Sequence, residues 1–93
     1  MSWHRVTVST ATKVEEISAE GFVNAVSKAI QGTGSGQWLS EAAIYRDDGA
    51  VPGQTSFYVS PRASTLVENL LAKFSAVACA EPDLSQLRMV LPG

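Results

Sequence analysis

The side chains able to do chemistry in this 93-residue sequence are few and scattered. His4, the single histidine, is the one group whose ordinary pKa lies near neutrality, and to act as a base it needs a nucleophile or acid within hydrogen-bond reach. The remaining candidates are Cys79, Tyr45, Tyr58 and the carboxylates Glu41, Asp47, Asp48 and Glu68. Cys79 stands among Val77, Ala78 and Ala80 with no neighbouring base or cation, so it reads as a small buried hydrophobe rather than a reactive thiol. Asp47 and Asp48 precede Gly49 without further acidic ligands at calcium-loop spacing, which is the composition of a turn. One Cys and one His fall short of the roughly four ligands of a zinc site. No catalytic set, metal or cofactor is expected.

Two polar runs invite a ligand. Ser60, Arg62, Ser64 and Thr65 gather hydroxyls and a guanidinium where a helix begins, a place that can hold phosphate or carboxylate and that equally needs a cap. The Gly32-Thr33-Gly34-Ser35-Gly36 run has the composition of a phosphate loop, but it follows a helix and enters a strand. A phosphate-cradling loop must precede a helix N-terminus, so a flexible connector is expected there.

The elements that position these residues follow from periodicity. Val6 and Val8 alternate with Arg5, Thr7 and Ser9, the mark of a half-buried strand. Ser18 is placed to cap a helix, with Ile17 and Phe22 at hydrophobic-staple spacing, Val26, Ala29 and Ile30 continuing the apolar face, and Gly32 as its stop. Residues 38–46 and 55–59 read as strands joined by a loop closed by Pro52-Gly53; so short a link makes them an antiparallel hairpin. Ser60 and Pro61 then open an unbroken helical stripe through Ala63, Leu66, Val67, Leu70, Leu71 and Phe74. The end of that helix between Ser75 and Ala80 is open; Pro82 forces a break, residues 82–85 suggest a brief turn, and Leu87, Met89 and Leu91 alternate as a last strand.

Strand, helix, strand, strand, helix, strand is the order of the split βαβ or ferredoxin-like arrangement. The expectation is a single α+β domain over residues 1–93, a four-stranded antiparallel sheet ordered 4-1-3-2 with two helices on one face. That architecture hosts unrelated functions and licenses none by itself. With Val6, Val8, Ala42, Ile44, Phe57, Val59, Met89 and Leu91 facing the helices, pleating sends Trp3, Arg5, Thr7, Tyr45, Ser56, Tyr58, Arg88 and Val90 to the bare face. Tyr, Trp and Arg are enriched at interface hot spots, so Trp3, Arg5, Tyr45, Tyr58 and Arg88 form the expected interface.

Composition narrows the partner. Seven Lys plus Arg against nine Asp plus Glu leave a net charge of −2 with no basic cluster. A pI near 5.2 argues against nucleic acid. Tyr58 on a sheet face invites comparison with RNA-recognition domains, but the basic Gly-aromatic pattern of their third strand is missing. No stretch approaches the roughly 20 apolar residues of a membrane span, the start lacks a signal-peptide run, and a lone cysteine suits a reducing, cytoplasmic setting. The sequence thus predicts a small non-catalytic interaction or regulatory module, a homodimer or one protein's partner through the open sheet face. The alternative is a small dimeric α+β enzyme or ligand-binding protein, its pocket between sheet and helices near Trp38 and Tyr45, with His4 or an aspartate as base.

Overall fold

The structure, a computed structural model, describes residues 2–31, 43–48 and 51–91. The expected connector at 32–36, the Gly32 stop, Trp38, Glu41 and the first residues of the second strand lie outside them. The described elements are β1 (Trp3–Ser9), a 3-10 turn (Glu15–Ile17), α1 (Ala19–Gln31), β2 (Ile44–Asp47), β3 (Gln54–Val59), α2 (Pro61–Leu66), α3 (Glu68–Lys73), β4 (Val77–Cys79), a second 3-10 turn (Leu84–Gln86) and β5 (Arg88–Leu91). They form an α+β domain built on one antiparallel sheet.

Period two sets the inner face: Val6, Val8, Ile44, Phe57 and Val59 are all buried. They share one cluster with Phe22 and Val26 of α1, Ala63 of α2, Leu71 of α3, and Val67 and Phe74 that flank α3, so the described helices cover the same side of the sheet. Phe22 is the hub. Its ring centroid lies 4.7 Å from that of Phe57 and 5.0 Å, edge-on, from that of Phe74, separations at which aromatic pairs attract beyond simple burial.

Ser18 caps α1 as its spacing demands, its Oγ accepting the Gly21 N–H at 3.0 Å and donating to the Glu15 carbonyl at 2.7 Å. The chain turns so tightly there that a Cβ on Gly21 would overlap the Glu15 carbonyl oxygen; glycine is required by space. In the hairpin loop, Gln54 N–H bonds Val51 O at 3.1 Å around Pro52 and Gly53, and Gly53 takes φ +80°, the backbone of a type II turn.

The stripe expected as one helix is two short ones. Val67, fully buried and β-branched, takes φ −120° and ψ 20° between α2 and α3, although its N–H still bonds Ala63 O at 3.2 Å and its carbonyl accepts from Leu71 N at 2.9 Å. Ala63, Val67, Leu71 and Phe74 stay on the core, and Leu66 turns to solvent. After α3, Ser75 adopts φ 53° while Ser75 N–H bonds Ala72 O and Ala76 N–H bonds Leu71 O, the paired bonds of a Schellman ending. A serine occupies the left-handed position that glycine usually takes.

The sheet has five strands rather than four, in the order β4-β1-β3-β2-β5. The place beside β1 belongs to β4, a segment whose fate was left open by the sequence; the last strand, expected there, pairs with β2 at the opposite edge. There it satisfies the outer backbone groups of β2, which the hairpin alone leaves unpaired. Ile44 pairs with Leu91 but Tyr45 with Met89, so β5 carries one extra residue at a bulge. The alternation expected for this strand is reversed at residues 88–90, while Leu91 pairs with the buried Ile44. Met89 pairs with Tyr45 on the bare side, Arg88 pairs with Arg46, and Val90 packs against the core. A shift of one residue exchanges faces, and the bulge confines that exchange to the residues before Leu91.

Candidate functional site

The site builds from cross-strand pairing. Val77 pairs with Arg5, Arg5 with Tyr58, Tyr58 with Tyr45, and Tyr45 with Met89, giving one uninterrupted row across all five strands. It lies on the side away from the helix-packed cluster, and no described helix covers it. Both ends are apolar and open: Val77 is 56% exposed and Met89 49%. Trp3 lies beside the row, its ring centroid 6.2 Å from that of Tyr45, with Cys79 paired to it on β4. Next to the row, Thr7 pairs with Ser56, their hydroxyls 3.4 Å apart. Arg5 is the row's single charge.

Four of the five expected interface residues, Trp3, Arg5, Tyr45 and Tyr58, therefore share this face. Arg88 does not. It pairs with Arg46, whose guanidinium stands 5.7 Å from the Phe57 ring centroid on the helix side, a cation–π distance. Asp48 lies between the two arginines, 2.7 Å from Arg46 Nε and 3.5 Å from an Arg88 nitrogen, and it accepts the Thr55 hydroxyl at 3.3 Å. The Arg46 hydrogen bond, foremost, holds the Asp48 carboxyl below the usual carboxylate range; partial desolvation opposes it, and the charges of Arg46 and Arg88 and the Thr55 hydroxyl add to it. Asp83 is also lowered, by the hydroxyl and backbone N–H of Ser85 in the second 3-10 turn.

At the expected anion site the hydroxyls are engaged by the chain. Ser60 Oγ accepts the Ala63 N–H at 3.4 Å and the Ala43 N–H at 2.9 Å, so it caps α2 and ties it to the start of β2. Ser64 donates to Pro61 O and Thr65 to Arg62 O. Of the catalytic candidates, His4 and Glu68 line one cleft, but His4 pairs with Ala78 and Cys79 with Trp3, so pleating sets the imidazole and the thiol on opposite faces. Tyr45 stands on the bare side, so it does not line a pocket between sheet and helices. Among the described residues there is no group of three or more potential metal ligands, and no helix is long and apolar enough to cross a membrane.

Val77 and Met89 were missed as members of the row. β4 spans three residues, too few for alternation to register, and the bulge in β5 has no signature in its sequence. The chain matches no protein-family model, and neither a curated protein nor a solved structure shows significant similarity to it.

Proposed function

We propose that this protein is a non-catalytic interaction module that pairs with a second copy of itself through the bare sheet face, on a ferredoxin-like frame extended by β5. The order β4-β1-β3-β2 is the 4-1-3-2 order of that frame, which supports the assignment.

One observation carries the self-pairing: the row is complementary to itself when reversed. β3 is the central strand and Tyr58 the centre of the row. A two-fold axis lying along β3, between two facing sheets, sets Tyr58 against Tyr58 of the second copy, Val77 against Met89, and Arg5 against Tyr45. Apolar ends meet apolar ends, and each guanidinium meets a ring rather than its own counterpart. An axis perpendicular to the strands would oppose Arg5 to Arg5, and charge repulsion selects against it. A domain of this size buries only about 60–65% of its unfolded surface, so covering the row also adds to stability.

Light scattering with circular dichroism tests this. The wild type is expected at twice the chain mass. Tyr58→Glu and Arg5→Glu are expected at the monomer mass with unchanged spectra, each removing about 2 kcal/mol or more per copy, as hot-spot truncations do. A wild type that stays monomeric at high concentration, or mutants that keep the doubled mass, would falsify the reading.

A further inference from the structure

A cleft of about 580 Å³ opens on the other side of the molecule, at the β4 edge, where α2 and α3 approach β1 and β4. Ser2, His4, Ser64, Thr65, Glu68 and Ser75 supply its polar lining. Ala72, Ala76 and Ala78 keep its floor shallow, and Leu71 gives it an apolar patch.

Where α2 meets α3 the wall has a definite hydrogen-bonding sense. The Ser64 hydroxyl spends its proton on Pro61 O at 2.7 Å and the Thr65 hydroxyl on Arg62 O at 2.8 Å, so both present only lone pairs to an occupant. Among the described residues Glu68 is the single carboxylate of the lining, likewise acceptor-only when ionised, and no lysine or arginine lines the cleft. His4 Nδ1 is enclosed and has no hydrogen-bond partner among the described residues, the one buried side-chain nitrogen or oxygen in that state. Such atoms are rare in folded proteins. Acceptors with net negative charge above small apolar residues suit an occupant with several N–H donors, a positive charge and a short hydrocarbon body.

We infer that this cleft binds a primary ammonium group on a short carbon chain, the ammonium held by Glu68 and the Ser64 and Thr65 hydroxyl oxygens and the chain lying over Ala72, Ala76 and Ala78. The ammonium belongs either to a free small amine or to a lysine side chain of a protein; the chemistry is shared.

Amide and imidazole NMR shifts read the site during titration with n-butylammonium chloride, with sodium butyrate as the control of opposite charge. Saturable shifts at residues 64, 65, 68, 72, 76 and 78 and in the His4 ring, without equal shifts in butyrate, are expected. Glu68→Gln should weaken binding about two- to fivefold, the worth of one exposed ion pair. Ala72→Leu, at an exposed helical position that favours leucine, should fill the cleft and abolish binding without unfolding the chain. A second arm uses Nα-acetyl-lysine methylamide: tighter binding than n-butylammonium assigns the cleft to a lysine of a protein, and weaker binding to a free amine. Shifts that do not saturate by about 100 mM, equal shifts in butyrate, or unchanged affinity in Glu68→Gln overturn the inference. The Tyr58→Glu chain should bind as the wild type does, so this test stands or falls apart from that of the sheet face.

Discussion

Phe57 and Tyr58 are consecutive in β3, yet they meet different surroundings. Phe57 is wholly enclosed, in ring contact with Phe22 and beneath the Arg46 guanidinium. Tyr58 is half-buried, between Arg5 and Tyr45 on a face with no described helix above it. The inner side is selected by shape, because each side chain must fill space left by α1, α2 and α3. No described helix makes that demand of the outer side. An aromatic and cationic row there is tolerated by folding and becomes useful when a matching surface arrives.

The largest effect should come from breaking that contrast at its centre. Phe57→Ala is expected to cost about 3–5 kcal/mol in urea denaturation, from lost transfer energy and the cavity left under Phe22. Tyr58→Ala, measured where the protein is monomeric, should cost less than about 1 kcal/mol, in line with other surface changes. Equal losses would mean that the outer face is as constrained by folding as the inner one.

Gly21→Ala sharpens the contrast from the helix side. The added methyl overlaps the Glu15 carbonyl oxygen, so the turn must open before α1 can settle over the sheet. A loss on the order of 1–3 kcal/mol is expected by thermal or urea unfolding, as for other overpacked sites. Self-association should survive where the mutant folds.

The smallest effect marks the border between the faces, at the exposed Asp48 that joins Arg46 to Arg88. Its carboxyl titrates lower in the folded chain than in the unfolded one. The stability it contributes is therefore complete above the unfolded value of about 3.9 and is lost as pH falls through the folded value. Asp48→Asn should cost less than about 1 kcal/mol at neutral pH, a difference from wild type that shrinks towards zero in acid titrations of unfolding.

Much of this was legible because the signals were periodic or local. The alternation at Val6 and Val8, the cap at Ser18, the turn at Pro52-Gly53 and Pro61 at the first position of α2 each follow from one physical rule, and the structure bears each out. The bare face with Trp3, Arg5, Tyr45 and Tyr58 followed from the same alternation. Four features escaped, each for a physical reason. The kink at Val67 arises inside an unbroken apolar stripe, so pattern alone reads straight through it. The C-terminal end of α3 was hidden because Ser75 stands in a left-handed position where glycine would have announced it. Residues 88–90 of β5 lie opposite to their expected sides because the bulge facing Ile44 and Tyr45 is a property of the pairing, not of the strand. The cleft beside His4 depends on how α2 and α3 lean over the β4 edge, which no local rule encodes.

The long strands β1 and β3 lie inside the sheet, and its rims are three-residue β4 and four-residue β5. Such stubby rims offer little template on which another chain can extend a ladder, so runaway stacking into fibrils is discouraged even in concentrated solution.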